Sequence, residues 1–174
     1  TRHAPPAPGF IEDVKSLCLQ SGAQLVFDEV TVGFRLREGG YHLNFDITPD
    51  MAVFAKALGN GHPIAAVIGT ENAMDAARES FVSSTYWTEG VGFAAAIATL
   101  KKMQKVLLPD VLRGTGEKFI RGMREAAERY HLPLHLSGHP ALVHFSFDHS
   151  EDLALQTLLT VRMLEQGILL GNGF

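Results

Sequence analysis

Short apolar runs that alternate with helical patterns constrain the fold of this chain more than any other feature of its sequence. Residues 24–27, 51–54 and 64–68 are each too short for a typical helix and are almost wholly apolar, so they predict buried strands. Apolar residues at helical spacing predict helices over residues 10–21, 72–80 and 93–106, and Gly22 is placed to end the first. Buried strands separated by helices are typical of an α/β fold with a largely parallel sheet.

The sequence after residue 110 has a different rhythm. Residues 112–130 predict a long helix with charges on one face, and residues 142–147 alternate like a half-exposed strand. A further helix is predicted over residues 153–166 and the start of a strand over residues 168–170. The second part therefore reads as a small α+β unit, and Leu108-Pro109-Asp110 lies at a plausible boundary, which gives domains of residues 1–107 and 108–174.

Composition narrows the classes of partner. The formal net charge of −4 favours neither nucleic acid nor an anionic membrane surface. No apolar run approaches the ~20 residues of a membrane span. Cys18 is the only cysteine, so no intrachain disulfide can form, which fits a cytoplasmic protein.

A carboxylate ends the first predicted strand. Asp28 directly follows residues 24–27, and a charge buried there without a partner is costly. Such a group is expected where a ligand supplies the opposite charge. Taken alone, Asp28 is more often a helix cap or one half of a structural ion pair.

A lysine ends the second predicted strand. Lys56 precedes a turn that contains Gly59 and Gly61, and we expect its side chain to be partly buried. Burial disfavours the charged ammonium form, and a neutral amine can form a Schiff base with an aldehyde. The competing interpretation is a surface lysine beside a tight turn.

The two residues together indicate one kind of chemistry. A pyridine cofactor bound as an imine needs an amine for its aldehyde and a carboxylate that keeps its ring nitrogen protonated. Ligand sites in open α/β sheets lie at the carboxyl ends of the strands. We therefore expect the Lys56 amine and the Asp28 carboxylate to converge on one crevice, about a pyridine ring apart.

The blocks around these two residues resemble the class-III aminotransferases, and in particular the glutamate-1-semialdehyde aminomutase group of that family. The resemblance runs from Gly9 to Phe174. It rests on five blocks that occur in the family's order and spacing: Leu25-Val26-Phe27-Asp28-Glu29-Val30, Gly33-Phe34-Arg35, Thr48-Pro49-Asp50, Lys56 with Gly59-Asn60-Gly61-His62-Pro63, and Gly69. It implies part of the large domain of a fold-type-I pyridoxal-phosphate enzyme, with a mostly parallel sheet, followed by part of a small α+β C-terminal domain.

The resemblance also implies roles for single residues. Lys56 would hold pyridoxal 5'-phosphate as a Schiff base and move the proton during catalysis, while Asp28 would pair with the pyridinium nitrogen. Val30 would pack against the ring, and Thr88 would bind the cofactor phosphate of a neighbouring subunit, which implies a homodimer with shared active sites. The family usually has Gly-Asn-Pro after this threonine, whereas residues 90–93 read Gly-Val-Gly-Phe, so Thr85 is a competing assignment.

The implied activity is that of an aminotransferase or aminomutase acting on a small amino or oxo acid. The alternative is a non-catalytic relative or assembly subunit that keeps the fold. Neither the phosphate-binding loop nor the stacking aromatic residue of the family's N-terminal half is found, and both chain ends look abrupt. We therefore expect an excerpt of a longer chain, incomplete and inactive alone.

A metal site is not expected from the histidines. His131 and His135 have the spacing of a helical zinc pair, but Pro133 between them breaks a helix.

Overall fold

The computed structural model describes residues 5–170 of the chain. The ends of the chain, residues 1–4 and 171–174, on which the expectation of abrupt termini partly depends, lie outside the described residues. Within residues 5–170 the elements run in the order α1 (Phe10–Ser21), β1 (Val26–Asp28), β2 (Met51–Phe54), β3 (Ala66–Gly69), α2 (Glu71–Glu79), α3 (Val91–Val106), α4 (Leu108–Tyr130), β4 (Leu134–Ser137), β5 (His144–Phe147) and α5 (Asp152–Glu165).

The chain divides into two compact units, with the division between Val111 and Leu112. We call Pro6–Val111 the N-terminal unit. The residues from Leu112 onward form most of the other, which we call the C-terminal unit. The division into domains of residues 1–107 and 108–174 stays a prediction.

The N-terminal unit is built on a three-stranded sheet of order β1-β2-β3. Strands β1 and β2 are parallel, and their register sets Val26 beside Met51 and Asp28 beside Val53. Strand β3 runs antiparallel to β2, a direction that the apolar run alone could not indicate. The described sheet thus mixes one parallel and one antiparallel pair.

The core of this unit lies around the central strand. Ala52 and Phe54 of β2 are 2% and 4% exposed, and they pack with Leu58 and with Ala96 of α3. The inward alternation of β2 side chains is what a strand with one face on helix α3 requires. Because β2 is anchored in this way, the residues that follow it, including Lys56, leave the sheet from a fixed point.

The C-terminal unit contains the antiparallel pair β4 and β5, with Leu134 beside Phe147 and Ser137 beside His144. Helix α5 packs against β5. A short 3-10 helix, Pro140–Leu142, precedes β5. Strand β5 therefore begins at His144, two residues later than the predicted start at residue 142, because Leu142 still belongs to the 3-10 helix.

The structure confirms some of these expectations and corrects others. Helix α1 has the predicted bounds, and Gly22 ends it with a left-handed φ of 71°. Strand β4 was not predicted, because its four residues alternate His and Ser with Leu and follow Pro133. Residues 168–170 form no strand in the part of the chain described. Helix α4 begins at Leu108 rather than at residue 112, because Pro109 fits a first helical turn, where its missing N–H is not needed.

No helix within residues 5–170 combines the length and the apolar character needed to cross a membrane.

Candidate active site

The carboxyl ends of β1 and β2 lie side by side at one edge of the sheet. Asp28 is the last residue of β1, and its register partner is Val53 of β2. The backbone N–H of Glu29 continues the pairing by donating to the Val53 carbonyl at 2.9 Å. Since β2 ends at Phe54, the chain reaches Lys56 within two residues of this edge.

Asp28 presents an exposed carboxylate at this edge. Its Oδ1 accepts a hydrogen bond from the backbone N–H of Val30 at 3.0 Å. Within residues 5–170 the structure shows no cation paired with Asp28. The prediction that a carboxylate ends the strand is confirmed, and the described residues include no partner for the ion-pair interpretation. The bond from the Val30 N–H is a local bond of the capping kind.

Lys56 presents its amine to the same segment of chain. Its Nζ donates a hydrogen bond of 2.7 Å to Oγ1 of Thr31, which directly follows Val30. The backbone at Lys56 has a left-handed φ of 46°, which turns the chain sharply at the end of β2. Asp28 and Lys56 are therefore both held by residues 30 and 31, one through a backbone N–H and the other through a hydroxyl.

The expected partial burial of Lys56 is wrong for this structure. The side chain is exposed, as is that of Asp28. The reason is local, because the apolar core ends with Phe54 and Leu58, and the Lys56 side chain extends along the sheet edge to Thr31.

The turn after Lys56 explains its glycine at residue 59. A Cβ at Gly59 would lie 2.1 Å from the carbonyl oxygen of His62, so only glycine fits this close backbone approach. The close approach of Gly59 to His62 thus fixes the shape of the turn, which begins at Lys56.

A buried carboxylate lies next to the exposed one. Glu29 is 1% exposed and accepts hydrogen bonds from the backbone N–H groups of Tyr41 and His42, at 3.0 and 2.7 Å. His42 Nδ1 lies 2.8 Å from Glu29 Oε1, and the His42 ring meets Phe27 and Phe54 edge-on. The Glu29–His42 pair therefore holds the loop after β1 against Phe27 of β1 and Phe54 of β2. The sequence does not mark His42 as the partner of Glu29, because the two residues are 13 positions apart and no local pattern encodes the contact.

Comparison with known proteins decides the family. The class-III aminotransferase family model matches residues 3–173. The chain belongs to the class-III aminotransferase family. Among its relatives, the 3-aminobutyryl-CoA aminotransferase of Cloacimonas acidaminovorans is 35% identical over 147 residues, which is 84% of this chain and 36% of that protein. The glutamate-1-semialdehyde 2,1-aminomutase of Desulforapulum autotrophicum is 38% identical over 128 residues, 72% of this chain and 30% of that protein.

Solved structures show the same likeness. The FumI protein of Sphingopyxis sp. MTA144, solved in its PLP internal aldimine form, matches with a TM-score of 0.89 and 28% identity over 97% of this chain. The likeness confirms the predicted α/β fold class. The chain covers 41% of the FumI chain and 36% of the Cloacimonas acidaminovorans enzyme, so it spans well under half the length of these proteins.

Thr88, which the resemblance to class-III aminotransferases singles out, is an exposed residue of the N-terminal unit. Residues 81–88 form an exposed segment between α2 and α3, and Thr85 belongs to the same segment. No hydrogen bond or ion pair within the described residues joins either threonine to Asp28 or Lys56. Asp28 and Lys56 are thus each hydrogen-bonded to the Val30–Thr31 segment. Whether their carboxylate and amine converge on one crevice stays a prediction, as does the role of Thr88.

Glu89 fixes the end of this segment at the start of α3. Its carboxylate accepts from the backbone N–H groups of Val91 and Gly92, at 2.6 and 2.9 Å. These bonds, first that of Gly92, hold the pKa of Glu89 below its ordinary value. The segment 81–88 thus has a fixed C-terminal end next to Thr88.

Proposed function

We propose that this chain forms part of a pyridoxal-phosphate-dependent aminotransferase or aminomutase that acts on a small amino or oxo acid through the amine of Lys56. One observation carries the proposal: where two paired parallel strands end, the exposed carboxylate of Asp28 and the exposed amine of Lys56 are hydrogen-bonded to two consecutive residues, Val30 and Thr31 respectively. Family membership supports it, since the relatives above are named as aminotransferases and an aminomutase.

The donor set fits the cofactor. Pyridoxal phosphate supplies an aldehyde that condenses with amines and a protonated pyridine ring that withdraws electrons from the substrate. Asp28 uses one oxygen for the Val30 N–H and keeps its second oxygen for the ring N–H. Lys56 offers a primary amine that no carboxylate within residues 5–170 neutralises, and it would carry the proton to and from the substrate.

Two further contacts belong to the proposal. The half-buried side chain of Val30, beside both groups, would lie against one face of the ring. Thr88 would bind the phosphate of a cofactor held by a second copy of the chain, in a homodimer with shared sites. Its exposure agrees with a role in another subunit's site, and Thr85, which is also exposed, is the competing residue.

The proposed place of the chain in its enzyme follows from length. Residues 1–107 would be the second half of the cofactor-binding large domain and residues 108–174 part of the small C-terminal domain. The relatives are well over twice as long as this chain, and sequence outside residues 1–174 would supply the rest of the site. We further propose a cytoplasmic location, which a single cysteine fits.

The proposal is tested by absorbance spectroscopy on the protein that contains this chain, with added pyridoxal phosphate. We expect a visible band that borohydride abolishes, present in the parent protein and absent in Lys56→Ala. Lys101→Ala, at an exposed lysine of α3, is the matched control and keeps the band. A parent protein that folds but gives no band would support the alternative, a non-catalytic relative or assembly subunit. A band that survives Lys56→Ala would assign the amine to another residue.

A further inference from the structure

The side chain of Lys56 has one hydrogen-bond partner within the described residues, and that partner is a hydroxyl. Nζ donates to Oγ1 of Thr31 at 2.7 Å, across 25 positions of sequence. Thr31 is half-buried and belongs to the segment that also holds Asp28. None of the five sequence blocks of the family resemblance contains Thr31.

A hydroxyl suits an amine that must gain and lose a proton. A carboxylate in this place would favour the ammonium form and oppose its deprotonation. The threonine hydroxyl accepts a hydrogen bond from an ammonium N–H, and it can also donate to the lone pair of the neutral amine. The Thr31 hydroxyl is therefore a suitable partner for a reacting primary amine.

The backbone strengthens the case that this contact sets where the amine lies. Lys56 follows the anchored strand β2 in a left-handed conformation with φ 46°, so its side chain starts from a defined point. The side chain is exposed and carries four methylene groups, and such a chain samples many rotamers unless its end is held. The bond to Thr31 supplies that hold at the end that reacts.

We propose that Thr31 is a positioning residue for Lys56. Its hydroxyl holds the Lys56 amine at the edge of the sheet where β1 and β2 end, whenever that amine is not bound to the cofactor. The inference rests on the proposed function for its purpose, but the contact can be tested without any activity. Thr31 acts through Lys56 and is not itself a catalytic residue.

The experiment measures the reactivity of Lys56 in the cofactor-free, full-length protein. The protein is treated briefly with acetic anhydride, and acetylation of Lys56 is followed by peptide mass spectrometry relative to the exposed Lys101 on α3. Thr31→Val keeps the shape of the side chain but removes the hydroxyl, so the Lys56 amine is untethered and its labelling accelerates about two- to tenfold, the range expected for one hydrogen bond of this kind. Thr31→Ser retains the hydroxyl and restores the parent rate.

Thermal melts of the two variants show whether a change in labelling reflects unfolding, in which case labelling of Lys15, whose side chain is only 17% exposed in the folded protein, also rises. Equal Lys56 rates in the parent, Thr31→Val and Thr31→Ser proteins would overturn the inference, as would a rate in Thr31→Ser that follows Thr31→Val.

The cofactor band separates this inference from the proposed function. If the parent protein gives the borohydride-sensitive band and Thr31→Val labels at the parent rate, only the inference fails. If no band forms but Thr31 still controls Lys56 labelling, the contact stands and its purpose in cofactor chemistry is overturned.

Discussion

At the residue scale, the backbone of Lys56, which carries the candidate amine, has a strained conformation. A left-handed backbone costs an L-residue roughly 1–2 kcal/mol, and Lys56 adopts it with φ 46°. Non-glycine residues in such conformations cluster at functional sites, where the surrounding structure imposes them. Stability alone would favour glycine at this point, so the presence of lysine agrees with a chemical role.

This strain predicts an unusual order of stabilities for two variants. Both Lys56→Gly and Lys56→Ala remove the amine, but only glycine relaxes the left-handed backbone. Relief of strain outweighs the extra unfolded-state entropy of glycine, so Lys56→Gly is expected to unfold with a free energy about 0.5–1 kcal/mol higher than that of Lys56→Ala. Urea unfolding checks the order.

The control is the same pair of substitutions in the middle of a helix. At Lys101 in α3, glycine is expected to be less stable than alanine by about 1 kcal/mol. The same order at Lys56 as at Lys101 would contradict the strained conformation.

At the element scale, helix α4 meets the 3-10 helix Pro140–Leu142 through a glycine. A Cβ on Gly116 would lie 1.7 Å from the Pro140 carbonyl oxygen, which is backbone and cannot move aside cheaply. By contrast, nothing lies within 4 Å of a Cβ on Gly122 of the same helix. The two glycines therefore have different reasons to be present.

Alanine substitutions separate these reasons. Gly116→Ala is expected to lower the free energy of unfolding of the C-terminal unit by roughly 1–3 kcal/mol, because the added methyl forces the two segments apart. Gly122→Ala is expected to raise it by about 1 kcal/mol, because alanine is the better helix former and meets open space. Chemical denaturation of both variants checks the pair, and a stabilising Gly116→Ala would show that the close approach is absent.

The elements also show how far the sequence could predict this fold. Helix α1, strand β2 and helix α3 carry strong apolar patterns of the correct period, and their existence followed from sequence. Strand β4 could not be predicted, because four alternating residues after a proline are stabilised only by pairing with β5. Residues 168–170 are apolar enough for a strand, but a strand also needs a partner, which residues 5–170 do not provide.

In the candidate site, too, the features that local patterns encode were predicted and those that depend on distant partners were not. Asp28 and Lys56 were predicted as strand-end groups, because that position depends only on where apolar runs end. The contacts around them were not predicted, because Thr31 bonds to Lys56 across 25 positions and His42 bonds to Glu29 across 13, and no local pattern encodes such pairs. The exposure of Lys56 was also beyond the sequence, because it depends on what covers the sheet edge.

At the scale of the whole molecule, three carboxylates make the free energy of unfolding depend on pH in the acid range. The pKa of Asp50 is lowered from 3.8, first by its hydrogen bond from Lys15 and then by that from the Leu25 N–H. The pKa of Asp152 is lowered by Gln156 and by the Phe147 N–H, and that of Glu89 by the start of α3. Each group is more acidic folded than unfolded, so each stabilises the fold above its unfolded pKa and loses that contribution as the pH falls through its folded pKa.

Asp50 is expected to show this link most clearly, because its carboxylate bonds at 2.8 and 2.7 Å to Lys15 of α1 and to Leu25 before β1. Asp50→Asn should lower the free energy of unfolding near pH 7 by about 1–2 kcal/mol and flatten its decline below pH 3.8. Urea unfolding from pH 7 down to pH 3 measures both effects.

Asp75→Asn is the control, because Asp75 pairs with Arg78 on the exposed face of α2. This change is expected to stay within about 0.5 kcal/mol at pH 7. An Asp50→Asn protein as stable as the parent at pH 7 would contradict the role given to Asp50.

The central claim, that Lys56 is the amine that binds the cofactor, is tested most directly by locating the bond. The protein that contains this chain is mixed with pyridoxal phosphate, reduced with borohydride, digested and mapped by mass spectrometry. The account predicts the phosphopyridoxyl group on Lys56 at near one equivalent, with other lysines labelled only in trace. The same group found chiefly on another lysine, or spread over surface lysines with Lys56 unmodified, would contradict it.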